Sequence, residues 1–271
     1  MNVLIHHFAY EFRTGIRDRS QLLMLYLFPL VFFALMGSLM TSLNPGFKQT
    51  MIPGMVLVAF MCSTLLSLPN LLVNARESGV FRSYRINGVP SASILGIPVT
   101  AIGVHMAVLG IVIWMAAARV FGGVPPAHVA GFAGASLLSY AACAGAGVLI
   151  GVAARNSTAS MLISQIIFIP SILLGGLMVP SAALPVHLRR LSLLLPATHG
   201  MRVFNGLAMG TTDGALLSIC VLVSSAALNF LLAGLLFEWD SRAGQPGRKA
   251  YAALIGISPY LAAALIGTRW I

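Results

Sequence analysis

Residues 51–74 read MIPGMVLVAFMCSTLLSLPNLLVN, a run of 24 residues that contains no charged side chain. A helix needs about 20 predominantly apolar residues to cross the hydrocarbon core of a bilayer. The run is apolar on all sides, unlike the one-sided surface helices of water-soluble proteins. This stretch therefore predicts a membrane-spanning helix, and it sets the class of the whole chain.

Further apolar runs of similar length lie on both sides of this one. Together the predicted spans cover residues 21–43, 51–74, 94–118, 127–153, 158–179 and 214–237. We therefore expect an all-α fold, a single polytopic transmembrane domain over residues 1–271 with six core spanning helices. Residues 1–20 precede the first run, and Phe8, Phe12 and Ile16 recur there at helical spacing, which predicts an amphipathic helix at the membrane interface or against a partner.

The carboxyl-terminal run, 250–268, predicts a seventh span. It holds 19 residues without a charge, which is near the lower limit for crossing. Arg248 and Lys249 precede it, and Trp270 follows at a position suited to the interfacial aromatic belt. The competing prediction, a helix lying flat on the cytoplasmic face, lacks the charged side that such helices show.

The composition agrees with a membrane protein and excludes other classes. The chain is 58% hydrophobic and 8% charged, whereas soluble domains carry about 25% charged residues. Its net charge of +10 lies in short links between apolar runs, which fits contact with anionic membrane lipid rather than nucleic acid. The cysteines, Cys62, Cys143 and Cys220, lack metal-ligand spacing and are interpreted as small buried hydrophobes.

The positions of the basic residues predict the orientation. With the amino terminus in the cytoplasm, ten Lys and Arg residues fall inside and at most six outside. Because cytoplasmic links carry the excess of Lys and Arg, we expect the amino terminus inside. The length and compactness of the chain are typical of a bacterial inner-membrane protein.

The sequence offers no chemistry of its own. It contains no GxxxxGK[ST] phosphate-binding loop and no HExxH motif, and its predicted spans hold no acidic residue. His105 is the one ionisable residue well inside a span, and a hydrogen bond to a neighbouring helix is the plainer interpretation. We therefore expect no catalytic residue, no cofactor and no metal site, and either passive transport or transport driven by another protein.

A short charged element follows the second span, within residues 75–93. Residues 74–90 read NARESGVFRSYRINGVP. Its charged residues are Arg76, Glu77, Arg82 and Arg85, and its apolar positions are Val80, Phe81 and Tyr84. Gly88 and Pro90 end the element. Such a helix can dock into a soluble partner, although an ordinary positive loop is the alternative.

A second segment, 180–213, breaks the apolar pattern after the fifth span. Prolines and glycines interrupt it and the end of the preceding span, at Pro170, Gly175, Gly176, Pro180, Pro185, Pro196 and Gly210. Its apolar content favours short re-entrant or interfacial helices at the outer face over a plain external loop. In the fourth span, Gly147 and Gly151 form a GxxxG pair, which is best interpreted as close helix packing.

Together these features resemble the membrane subunit of type 2 ABC transporters, the exporters of drugs, polysaccharides and lipids. The resemblance covers roughly residues 1–240. It rests on the amino-terminal helix, the Arg-Glu-x-Gly…Gly-Val-Pro element, and the Pro…Gly-Gly…Pro…Leu-Pro…Leu-Pro-Ala-Thr run. In place of the family's usual Gly-Thr-Leu, this chain has Gly79-Val80-Phe81, and the run at 250–268 exceeds the usual six spans.

The resemblance implies roles for these residues. The coupling helix that touches the ATPase would comprise Arg76, Glu77, Gly79, Phe81, Arg82, Tyr84, Arg85, Gly88 and Pro90, and the outer gate the seven Pro and Gly residues named above. It also implies a separate ABC ATPase subunit, a homodimer or a heterodimer with a similar permease, and a non-enzymatic chain. The apolar spans favour an amphipathic or hydrophobic exported substrate. A stand-alone secondary transporter or channel is the alternative, and it has no need of a docking helix.

Overall fold

The computed structural model describes residues 2–44, 46–178, 184–210, 214–239 and 251–267, and the regular elements in these ranges are helices. In chain order they are α1 Asn2–Arg17, α2 Arg19–Leu43, α3 Phe47–Glu77, α4 Val80–Ile86, α5 Ser91–Val120, α6 Val129–Ala153, α7 Ser157–Leu174, α8 Val186–Ser192, α9 Pro196–Met209, α10 Ala215–Leu236 and α11 Tyr251–Ile266. The expected all-α fold is confirmed.

Six of the helices are long and apolar enough to cross a membrane, namely α2, α3, α5, α6, α7 and α10. Each coincides with one of the six predicted spans, so the predicted bundle is confirmed. α3 is its central helix, because 83% of its most apolar window is buried, against 22% for α2 and α7. α3 contacts all four helices α2, α5, α6 and α7.

The backbones of α3 and α6 approach each other closely. A side chain on Gly147 would collide with the carbonyl oxygen of Thr64, and one on Gly151 would crowd Pro69 and Leu72. Thr64 lies in a π-helical turn, Cys62–Ser67, and its hydroxyl donates to the carbonyl of Phe60 at 2.6 Å. Glycine on α6 and an internally bonded hydroxyl on α3 therefore let the two backbones approach closely, as in other membrane bundles.

His105 on α5 fastens α1 and α2 to the bundle. Its Nε2–H donates to the carbonyl oxygen of Phe12 at 3.0 Å, and its ring stacks on the Phe12 ring with centroids 4.2 Å apart. Because that carbonyl can only accept, Nδ1 accepts the Tyr26 hydroxyl proton at 2.6 Å. His105 is 2% exposed, so it serves as a structural hydrogen-bonding group between helices.

The links gather at two ends of the bundle. At the α4 end lie α4, the ends of α3 and α6, and the start of α7; the Asn74 side chain of α3 accepts a hydrogen bond from Ser157 of α7. At the α8 end lie α8 and α9, where the chain passes from α7 to α10. The predicted coupling element and the predicted outer segment therefore occupy opposite ends.

α11 runs antiparallel along α10. Gly256 lies beside Asn229, Tyr260 receives a hydrogen bond from Ser225 at 2.9 Å, and Ala263 packs near Val221. With 16 residues α11 is about 24 Å long, shorter than the roughly 30 Å hydrocarbon core. Its alignment with a spanning helix, from the middle of α10 towards its amino end, supports the prediction that the run crosses the membrane.

A paired labelling experiment tests this seventh span in the full chain. Single cysteines are introduced as Ser241→Cys and Ile271→Cys in a background where Cys220 is replaced by Ser. If α11 crosses, an impermeant maleimide applied to intact cells labels one of the two cysteines and not the other, whatever the orientation. The count would return to six if intact cells labelled both cysteines. It would also return to six if intact cells labelled neither and both reacted after permeabilisation.

Candidate functional site

The helix α4 is set off from its neighbours by two glycines in the left-handed conformation. Gly79 precedes it with φ +80°, and Gly88 follows it with φ +69°. At its end, Gly88 N–H bonds the carbonyl of Arg85 and Val89 N–H bonds that of Tyr84, the Schellman arrangement that closes a helix. Pro90 then caps the amino end of α5. The seven-residue helix is thus a defined element with sharp turns on both sides.

Two aromatic side chains hold α4 against the bundle. Phe81 is 4% exposed and its ring centroid lies 5.4 Å from that of Phe237, just beyond α10. Phe237 in turn contacts Trp239 edge to face. On the other side, the Tyr84 ring lies 5.2 Å from the His7 ring of α1. α4 is therefore fastened between α1 and the end of α10.

The remaining face of α4 is exposed. It carries Arg82, Ser83 and Arg85, and Ile86 at its tip is 80% exposed. Arg82 also makes a contact within the chain. α4 therefore presents an isoleucine and cationic side chains at this end of the bundle.

Arg76 has an internal role that the sequence did not indicate. Its guanidinium donates to the carbonyl oxygen of Val152 at 2.9 Å and to that of Ala154. These carbonyls belong to the last turn of α6, where the helix leaves acceptors unsatisfied and where cations are favoured. Arg76 therefore joins the end of α3 to the end of α6.

α7 is joined to the same corner. The Ser157 hydroxyl donates to the Asn74 side-chain oxygen at 2.7 Å and lies 3.5 Å from a carboxylate oxygen of Glu77. Glu77 is otherwise exposed. The start of α4 thus follows directly on a junction of α3, α6 and α7.

The contact of α1 with α4 includes a His–Glu pair. His7 Nε2 lies 3.6 Å from Glu11 Oε1, four residues further along the helix. Burial lowers the pKa of His7 and raises the pKa of Glu11. Both shifts favour the neutral forms, so the pair adds little ionic attraction, and the ring contact of His7 with Tyr84 is its main link to α4.

At the α8 end, the proline and glycine residues shape two short helices. Pro170 lies inside α7 and Gly175 ends it. Pro185 immediately precedes α8, Pro196 is the first residue of α9, and Gly210 ends α9 with φ +77°. Gly176 is also left-handed, and a side chain on Gly175 would collide with Ser171 and Ala197. Pro180 lies outside the described residues.

α9 is more than a surface helix. Most of its first three turns are buried against α3, α6 and α10. His199 is fully buried; its Nε2–H donates to the carbonyl of Leu193 at 2.9 Å and its Nδ1 accepts from the Ser218 hydroxyl at 3.2 Å. Burial lowers the pKa of His199 to about 4, so it is neutral near pH 7. Burial and then Arg189 lower the pKa of Arg202.

Sequence reasoning thus located the two segments but not their internal partners. The structure brings Arg76 and Phe81 to internal contacts and leaves Glu77, Arg82 and Arg85 on the surface. It places Gly147 and Gly151 in the α3–α6 interface rather than at either end. The capping role of Arg76 and the burial of His199 depend on helix ends distant in sequence, for which no local signal exists. Among the described residues no group of three metal-ligating side chains occurs.

The chain matches the model of a known protein family. The model of the family described as "ABC-2 type transporter" matches residues 4–209, which run from α1 to the end of α9. No curated protein matches the chain. The matched range contains both the α4 element and the α8–α9 segment, whereas α10 and α11 lie beyond it.

The internal role of Arg76 gives a stability prediction. Arg76→Gln removes a charged donor from two carbonyls, and hydrogen bonds to charged groups are worth about 1.5–3 kcal/mol. At about 2–4 °C per kcal/mol, we expect the thermal unfolding midpoint in detergent to fall by several degrees. Arg155→Gln, which removes an exposed arginine at the same end, is the control and should unfold as the unaltered chain does. An equal loss in both variants would contradict the capping role.

Proposed function

Because the chain belongs to the ABC-2 type transporter family, we propose that it is the permease subunit of an ATP-driven exporter whose energy comes from a separate ATPase subunit. Two copies of the chain, or this chain and a similar permease, form the route, and two copies of the ATPase lie beneath it. The subunit performs no covalent chemistry. The bundle crosses the inner membrane of a bacterial cell, and its α4 end faces the cytoplasm.

The observation that carries the proposal is the way in which α4 is attached to the bundle. Phe81 and Tyr84 hold α4 against the bundle, while Arg85 and Ile86 are exposed at its carboxyl end. Short turns at Gly79 and Gly88 connect α4 to the spans before and after it. A force applied at the exposed tip would therefore reach α3 and α5 directly, which is what coupling to an ATPase requires.

The surface of α7 supports assembly into a dimer. Gln165 lies midway along this span and is partly exposed, and its amide makes no hydrogen bond within the part of the chain that the structure describes. An unpaired amide facing lipid costs several kcal/mol. Its neighbours Leu162 and Ile166 are 62% and 71% exposed. Contact with a second copy, or with a polar stretch of the transport route between the copies, removes that cost.

The apolar spans favour an amphipathic or hydrophobic substrate over a small ion. The described parts of the six spans contain no acidic residue that could bind a cation, apart from Glu77 at the α4 end. Export of such a substrate needs no fixed charge along the route. It needs a route that opens alternately to the two sides, which a bundle driven through α4 provides.

The first test addresses the ATPase contact. The full chain, tagged and expressed in its native cell, should co-purify a protein with a phosphate-binding loop, identified by mass spectrometry. Arg85→Glu combined with Ile86→Asp should weaken this association roughly ten- to hundred-fold, because charged contacts are worth about 1.5–3 kcal/mol. Membrane insertion and elution volume check that the variant folds.

The matched control is Arg119→Glu, the same charge change on an exposed arginine at the opposite end. It should leave the association unchanged. If the unaltered chain captures no such ATPase, or if the α4 variant and the Arg119 variant behave alike, coupling through α4 is wrong and a stand-alone carrier or channel becomes the better proposal.

The second test addresses the dimer. In a Cys220→Ser background, Leu162→Cys and Gln165→Cys should form disulfide-linked dimers in membranes treated with an oxidant. Leu137→Cys, on a 71% exposed position of α6, is the control and should stay monomeric. Cross-linking at all three positions would indicate random collision, and cross-linking at Leu137 alone would move the interface from α7 to α6.

A further inference from the structure

A groove opens between α8 and α11 at the α8 end of the bundle. It has a volume of about 670 Å³, within the range of about 300–1,000 Å³ that small-molecule sites occupy. Its walls are apolar, from Val186 and Leu191 on α8 and Leu261 and Leu265 on α11. His187 and Arg190, three residues apart on α8, also line it. The groove thus combines a long apolar surface with two basic side chains.

The apolar side chains that line the groove are exposed. Val186, Leu191 and Leu261 are about half exposed, and Leu265 is 75% exposed. A contiguous exposed apolar surface marks a binding surface. α11 lies along the spanning helix α10 and its carboxyl end reaches α8, so the groove opens where bilayer and water meet. Acyl chains are available there to cover it.

The basic side chains at the α8 end favour a lipid with an anionic headgroup. Arg190 and His187 lie beside Arg189, and the half-buried Arg202 is close to Arg189. The acidic side chains within the described residues are Glu11, Asp18, Glu77 and Glu238, and none of them belongs to α8, α9 or α11. No carboxylate of the described chain therefore competes for Arg190, whose planar guanidinium matches two oxygens of a phosphate.

We propose that the α8–α11 groove binds a phospholipid with an anionic headgroup, drawn from the adjoining leaflet. Its phosphate lies against Arg190 and His187, and one acyl chain follows Leu191, Leu261 and Leu265. The lipid fills the gap between α11 and the short helix α8, and so joins the carboxyl-terminal helix to the α8–α9 segment. This site is independent of the transported substrate and of the ATPase contact.

Competition between two lipids tests the headgroup preference. The full chain in detergent is mixed with equal amounts of dioleoyl phosphatidylglycerol and dioleoyl phosphatidylcholine, and retained lipid is counted by native mass spectrometry. The unaltered chain should retain the anionic lipid several-fold more. Arg190→Gln should bring the ratio close to one, whereas Arg119→Gln, which removes an exposed arginine at the same end, should leave it unchanged.

A second pair of variants tests the acyl-chain contact. Leu261→Ser should lower the number of retained lipids of both kinds, whereas Leu231→Ser, on a comparably exposed position of α10, should not. The proposal is overturned if the unaltered chain shows no preference, if Arg190→Gln and Arg119→Gln behave alike, or if soluble glycerol phosphate alone displaces the retained lipid. Disulfide-linked dimers of a Leu261→Cys variant would assign the groove to a second copy of the chain instead.

Discussion

The bilayer interior supplies no water for unpaired polar groups, and the arrangement of this protein depends on that constraint. Each helix satisfies its own backbone, so helices join where their surfaces fit closely or where a polar side chain finds a partner on another helix. Gly147 lets α6 reach the backbone of α3. Tyr140 of α6 donates to the carbonyl of Val99 in α5 at 2.6 Å, and Ser225 joins α10 to Tyr260 of α11. The central position of α3 and the attachment of the outer helices both follow from these few contacts.

The same requirement shapes the α4 end. The last carbonyls of α6 need donors where the helix stops, and Arg76 at the end of α3 supplies them. That bond brings the ends of α3 and α6 together, and the Ser157 contact with Asn74 adds α7. The helix α4 follows immediately after this junction. Ordinary helix capping thus places the start of α4 beside the ends of three spans.

The sequence allowed much of this fold to be predicted, because length and apolar composition suffice to recognise a span. All six spans were located, and Gly88 was correctly predicted to end the short helix between α3 and α5, whereas the start of that helix after Gly79 was not predicted. Partners between distant residues could not be predicted. His105 looks like an isolated ionisable group in the sequence, and only the fold shows that Phe12 and Tyr26 satisfy both of its ring nitrogens. The segment at 180–213 could be recognised as broken by its prolines, but the burial of α9 depends on α3, α6 and α10 together.

The interfaces of α3 with α6 and with α7 differ in how closely they pack and in how many of their polar groups are hydrogen-bonded. This difference bears on which helix can move. Against α6, α3 meets glycine at closest approach and an arginine cap at one end. Against α7, α3 has the Ser157–Asn74 hydrogen bond at one end, and the buried side of α7 contains the hydroxyls of Ser160, Ser164 and Ser171, which have no hydrogen-bond partner in the described chain. A serine side chain in a helix can rotate and donate a hydrogen bond to a carbonyl of the preceding turn. Such a hydrogen bond does not hold the neighbouring helix in one position. α7 also has little of its surface buried, 22% against 72% for α6. A displacement of α7 along α3 therefore breaks fewer specific contacts than a displacement of α6, and it would carry Gln165 with it. The α3–α7 interface, which has few specific contacts, lies between the α4 end and the α8–α9 segment. A transport cycle requires helices to move in this region.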